Sequence, residues 1–161
     1  MDLAPLFEAA SWGQGCPLVL LLGAAKAESG LNSHAEHLGV WPDVSFGLAQ
    51  ISVAYSYYGD GTDSPANIAS VRDYVFAHPD VDLAEMAKRL TADLSGARDG
   101  GADPASSGVD LSPVGGDAFL MACVRYNAGH YPPAGDSYWT AYAANVAGYV
   151  AGLAWARGVV V

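Results

Sequence analysis

Positive charge is scarce in this sequence. Seven Lys and Arg stand against seventeen Asp and Glu in 161 residues, a formal net charge of −10 at pH 7. Neutralising phosphates takes clustered cations, so no nucleic-acid partner is expected. The same acidity opposes adhesion to an anionic surface by charge alone, so such a surface would have to be gripped by a specific groove. Cysteine is nearly absent too. Cys16 and Cys123 are too few for a disulfide scaffold; two buried free thiols is the preferred reading, with a single bridge left open. The N-terminal MDLAPLFEAASWGQG lacks a basic segment, and the apolar run 17–25 is short and internal, so no secretory signal is expected. No Ser-His-Asp arrangement, Gly-rich phosphate loop or His-Glu-x-x-His is found, and no cofactor is expected.

What is abundant is apolar side chain. Hydrophobic residues make up 52% of the chain and charged ones 15%, enough to bury one sizeable core, so residues 1–161 are expected to form a single domain. Residues 2–11 read as a short helix broken at Gly13-Gln14-Gly15, and Pro17 suits the first turn of the next one. In that second helix Leu18, Leu21, Leu22 and Ala25 share one face. At about 100° per residue Glu28 lies beside Leu21 on the border of the stripe, and Gly30 is placed to cap the helix end. Residues 31–46 read as an irregular crossing loop. Residues 47–58 permit a strand or a short helix.

Ser64-Pro65 opens a further helix that stops at His78-Pro79, and residues 83–94 form an amphipathic segment. Residues 95–116, rich in Gly, Ser, Pro and Asp, read as an exposed loop. Residues 119–126 are apolar around most of the circumference, as in a buried central helix. Residues 137–156 carry no charge and are long enough to span a bilayer, but Thr140, Asn145 and three tyrosines favour a core-packed helix with Trp139, Tyr142, Val146, Tyr149, Val150 and Leu153 on one stripe. The fold class expected is mainly α, or α+β with few strands, with at most a small β element around 46–58.

Three segments occur in a telling order: AKAESGLNSHA at 25–35, SFGLAQIS at 45–52 and RYNAG at 125–129. Together they resemble the signature of soluble lytic transglycosylase domains, a family related to goose-type lysozymes with members encoded by bacteriophages. In that family a helix ends in Glu-Ser-Gly, a Gly-Leu-x-Gln follows a Ser-x-Gly, and a buried helix ends in Tyr-Asn-Ala-Gly. Ser64-Pro65-Ala66-Asn67-Ile68 looks like the family's Pro-x-Asn-Ile helix, and Tyr149 resembles the tyrosine of a fourth motif. Ala49 departs from the methionine common in the second motif. An enlarged segment at 79–116 is not needed by the compact pattern; it would widen, cover or retarget a substrate groove.

The resemblance implies a peptidoglycan-degrading glycosidase that cuts the β-1,4 bond between N-acetylmuramic acid and N-acetylglucosamine, with Glu28 as general acid. Such an acid must hold its proton near neutral pH, which partial burial against residues such as Leu21 and Leu48 would arrange. The resemblance also implies a 1,6-anhydro product: the muramic 6-hydroxyl attacks, the 2-acetamido group supports the cationic centre, and the glutamate then acts as base. A goose-type lysozyme would use water instead, positioned by Asp43 or Asp60. Substrate-binding or orienting roles carry over by resemblance to Ser29, Ser45, Gly47, Gln50, Tyr126, Asn127 and Tyr149; each also has an ordinary structural explanation, from helix capping to core packing. His130, beside the third motif, is a weaker candidate for substrate contact. His34, Glu36 and His37 raise a metal reading, but no third ligand is placed by spacing and no metal is expected. A non-catalytic virion or wall-binding protein that keeps the fold is the competing class. The expected partner is the glycan strand of the bacterial wall, with delivery by a phage tail or other virion protein, or release through a holin.

Overall fold

The computed structural model of the protein describes residues 2–99 and 109–160. Among these are seven α-helices: α1 (Ala4–Gln14), α2 (Leu18–Ser29), α3 (Pro65–Ala77), α4 (Pro79–Asp99), α5 (Ala118–Ala128), α6 (Tyr138–Ala141) and α7 (Ala143–Val159). One three-stranded antiparallel sheet, β1 (Glu36–Leu38), β2 (Val44–Phe46) and β3 (Ile51–Ser52), runs in the order β1-β2-β3. The domain is thus mainly helical with a small open sheet, as the sequence led us to expect.

Local chemistry accounts for most helix boundaries. Gly30 closes α2 in the left-handed conformation, φ 64°, and its N–H donates to the Lys26 carbonyl. Ser64 caps α3 by accepting from the Asn67 N–H at 3.2 Å, with Pro65 in the first turn. Asp117 caps α5 by accepting from the N–H groups of Phe119 and Leu120, and its other oxygen accepts from Arg157 near the end of α7 at 2.7 Å. The main core joins α1, α2, α4, α5 and α7; from Leu120 to Val124, α5 is buried all round, as its apolar circumference predicts. A second, smaller cluster of Val44, Phe46, Val53, Val71 and Val75 fastens the sheet to α3.

Four expectations need correction. The β element begins at residue 36, inside the stretch read as an irregular loop. All three residues of β1 are exposed and show no alternation, so its pairing is dictated by β2, which is buried throughout. The expected loop at 95–116 starts later, because α4 continues to Asp99: burial of Leu94 and Ala97 overrides the weak helix preference of Ser95 and Gly96. Residues 100–108 of that loop lie outside the described residues. The 79–116 segment is not an appendage, since Leu83, Met86, Ala87 and Leu90 of α4 have no exposed surface and form the middle of the core. Finally, residues 137–156 are not one helix. The backbone turns at Tyr142, φ −115°, separating α6 from α7, and Tyr142 and Val150 of the expected buried stripe are exposed. No helix among the described residues is long and apolar enough to cross a membrane.

Candidate active site

Helix α2 lies along α7 at very short range, and two glycines make this possible. A Cβ on Gly152 would sit 2.3 Å from the Gly23 carbonyl oxygen, and one on Gly23 would sit 2.8 Å from Leu153. Five residues beyond Gly23, in the last turn of α2, comes Glu28; three before Gly152, on α7, comes Tyr149. The close approach lets the Tyr149 hydroxyl donate directly to Glu28 Oε1.

Around this pair opens a cleft of about 970 Å³. One wall is helical and carries Glu28, Asn127, Tyr138, Tyr142, Asn145 and Tyr149; the other is built from the sheet and its turns and carries His37, Asp43, Ser45, Gln50, Ser52 and Tyr55. Glu28 keeps a partly exposed face towards this space while protein surrounds its carboxyl group. Burial raises its pKa from the ordinary 4.5 to about 7, against a smaller lowering by the Tyr149 hydrogen bond. Burial likewise pushes Tyr149 well above 10, and the neighbouring Glu28 charge adds to this, so the phenol stays a donor. A carboxyl that is half protonated near neutral pH, at the wall of an open polar cleft, is equipped for general acid and base chemistry.

The remaining residues singled out in the sequence divide into two groups. Ser45, Gln50 and Asn127 line the cleft. The Gln50 amide is occupied by protein: its Oε1 accepts from Ser45 Oγ at 2.9 Å, and its Nε2 donates to the carbonyls of Gly47 at 2.9 Å and Ala35 at 3.3 Å. Those bonds hold the β2–β3 turn in shape with Gln50 itself at φ 50°. Asn127 Oδ1 accepts from the Tyr138 hydroxyl at 2.9 Å and from Asn145 at 3.4 Å.

Ser29, Gly47 and Tyr126 are not among the residues lining the cleft. Ser29 Oγ donates back to the Ala25 carbonyl of its own helix at 3.0 Å. Gly47, at φ 81°, packs where a Cβ would meet Val75 at 2.4 Å and the Asp82 carboxylate at 2.5 Å. Tyr126 donates to the Ala49 carbonyl at 2.7 Å, while the Ala49 N–H donates to buried Asp82 at 3.0 Å. The turn behind Gln50 is therefore clamped through both polar groups of Ala49. Burial raises the pKa of Asp82 to about 6, partly offset by its backbone hydrogen bonds.

Of the two carboxylates considered for positioning a water, Asp43 lines the cleft and hydrogen-bonds His37 at 2.9 Å. Asp60 lies outside it, bound to Thr62. His130 lines the cleft, 4.0 Å from Asp136. His34 instead packs on Phe76, ring centroids 4.8 Å apart, away from His37 and its Asp43 partner. Among the described residues no cluster of three or more His, Cys, Asp or Glu side chains is placed to hold a metal ion. Cys16 and Cys123 are free, and both are buried.

Sequence reading missed Tyr55, Asp136, Tyr138 and Asn145 as cleft residues and assigned Tyr142 to the core. For the helical wall the available signal was the polar content of the uncharged stretch 137–156, of which Ser137, Tyr138, Tyr142, Asn145 and Tyr149 line the cleft. No protein-family profile matches the chain, and neither a characterised protein nor a solved structure shows detectable similarity to it.

Proposed function

We propose that the protein is a peptidoglycan glycosidase of the lytic transglycosylase type, with Glu28 as its general acid and base. The observation that carries this reading is Glu28 itself: a carboxyl held protonated to about pH 7, hydrogen-bonded to Tyr149, on the wall of a cleft of about 970 Å³. It is supported by the motif resemblance at 25–35, 45–52 and 125–129, whose three segments all border or brace this cleft.

In the proposed reaction Glu28 gives its proton to the glycosidic oxygen as the bond to the muramic anomeric carbon breaks. The 6-hydroxyl of the same muramic residue then attacks that carbon, and the Glu28 carboxylate takes the hydroxyl proton. A 1,6-anhydro end results and the acid is regenerated. Hydrolysis is the second reading, favoured by a second carboxylate, Asp43, in the lining of the same cleft, where it would position an attacking water.

Digestion of purified peptidoglycan followed by mass analysis of the soluble products tests both. Anhydro-muropeptides are expected; reducing ends would establish the hydrolase, and absence of any product across pH 4–9 would leave a non-catalytic wall-binding protein. Glu28→Gln is expected to lower the rate by about 100-fold or more, the scale of a lost general acid. An unchanged rate would remove Glu28 from the mechanism.

A further inference from the structure

Two large aromatic side chains stand exposed in a cleft that also carries carboxylates, amides and hydroxyls. Tyr55, on the sheet wall, is 69% exposed, and Tyr142, on the helical wall, is 50% exposed. Leaving phenol rings in water is ordinary on an open surface, but here both sit in the lining of the same cavity as Glu28.

Each is held by its surroundings. Tyr142 stacks against Tyr138 with ring centroids 5.0 Å apart and planes inclined by 22°. Tyr138 is itself buried and fixed, its hydroxyl donating to Asn127 Oδ1 and its N–H to Asp136 Oδ1 at 2.8 Å. One face of the Tyr142 ring is therefore covered and the rest is presented to the cleft. Tyr55 ends a 3-10 turn over Val53–Tyr55, anchored from below by fully buried Val53. Its carbonyl accepts from Arg89 Nη2 at 3.0 Å, and Arg89 is in turn paired with Glu85. A ligand meeting Tyr142 finds a ring already stacked on its neighbour, and one meeting Tyr55 finds a ring carried on a backbone turn that Arg89 holds in place.

The lining also restricts what that ligand is. Glu28, Asp43 and Asp136 supply carboxylates, and among the described residues no Lys or Arg lines the cleft. A phosphorylated or strongly anionic group has no counter-charge here. A pyranose fits both features at once: its C–H face is apolar and lies flat on an aromatic ring, while its hydroxyl edge donates to carboxylates and amides.

From this we infer that Tyr55 and Tyr142 are sugar-binding platforms of the cleft, one carried by the turn after the sheet and one by the α6–α7 junction, each stacking one uncharged N-acetylhexosamine ring of a β-1,4-linked strand. The inference rests on the glycan reading of the cleft and does not require that the strand be cut.

The test is binding of a β-1,4-linked N-acetylglucosamine hexamer to the full chain carrying Glu28→Gln, which prevents turnover. By calorimetry Tyr55→Ala and Tyr142→Ala are each expected to weaken binding about tenfold, or ~1.4 kcal/mol. Tyr55→Phe and Tyr142→Phe should restore it, because the ring face rather than the hydroxyl makes the contact. Trp12→Ala, a fully outward tryptophan on α1 away from the cleft, should bind like the parent. A second measurement needs no ring removed: NMR resonances of both tyrosine rings in the Glu28→Gln parent should shift on adding the hexamer. Unmoved ring resonances, alanine variants within twofold of the parent, or no binding by the parent would each overturn the platforms. Failure of the cleavage reading looks different. A protein that holds the hexamer through both rings and releases no muropeptide loses its enzymatic assignment and keeps its binding one.

Discussion

At the scale of single residues, the important quantity is how firmly Glu28 keeps its proton. Burial favours the neutral acid, and the Tyr149 hydroxyl, donating to Oε1, favours the carboxylate; burial wins, and the pKa settles at about 7. A step that needs the protonated acid should therefore slow as pH rises through 7. In Tyr149→Phe the opposing hydrogen bond is gone, so the pKa rises further and the alkaline limb of the pH–rate profile should move to higher pH. A limb that stays in place or moves down would show that Tyr149 does not set the acid's strength. Motif position located Glu28 and Tyr149, yet could not say that they touch, because 121 residues separate them and only packing of two helices joins them. The same limit explains Ser29, Gly47 and Tyr126. Their types and order are readable in the chain, but whether a hydroxyl faces a cleft or its own helix depends on which rotamer the fold satisfies.

At the scale of elements, the contact between α2 and α7 decides the geometry of the acid. Backbone meets backbone at Gly23 and Gly152, a separation that any side chain would widen. Gly152→Ala places a methyl group 2.3 Å from the Gly23 carbonyl oxygen, so α7 must shift outward and carry Tyr149 with it. We expect a loss of about 1–3 kcal/mol in chemical denaturation, the range for overpacking, together with a fall in peptidoglycan-cleaving rate larger than that from Gly158→Ala. Gly158 is a fair comparison, because it lies on α7 outside the cleft lining and a Cβ there would meet nothing within 4 Å. Helix periodicity revealed the buried faces of α4 and α5; in α2 it placed Leu21 and Ala25 in the core but counted partly buried Leu18 and Leu22 in place of fully buried Leu20 and Ala24. It failed at 137–156, where the backbone breaks at Tyr142, φ −115°, and a hydrophobic count does not distinguish two helices from a continuous one. It failed also at β1, whose exposed Glu36-His37-Leu38 has no pattern of its own.

At the scale of the whole molecule, three buried carboxyls set the pH dependence of stability. Glu28 is raised to about 7, and Asp82 and Asp93 to about 6, in each case by burial; for Asp93 the Arg125 partner at 2.6 Å opposes the rise. Their folded pKa values lie above the unfolded ones, so the folded state binds more protons between about pH 4 and 7 and stability falls as pH rises across that window. Asp60, Asp110 and Asp117 are lowered instead, so their contribution is present above about pH 4 and lost below it. Thermal unfolding should accordingly peak near pH 4–5, with a midpoint at pH 8 lower by about 5 °C or more. A flat profile, or a maximum at neutral pH, would mean that these carboxyls are better solvated than their surroundings indicate.

The chain on its own determined that this protein is mainly helical, that α5 lies at the centre, and which carboxyl to suspect. Those properties follow from short-range periodicity, caps and local motif order. Only the tertiary structure decided that Glu28 meets Tyr149, that Leu83, Met86, Ala87 and Leu90 of the 79–116 segment belong to the core, and that Tyr55 and Tyr142 line one cleft. Contacts between distant segments are fixed by how apolar faces and glycine gaps fit in three dimensions, and that fit is a property of the packed whole rather than of any stretch of sequence.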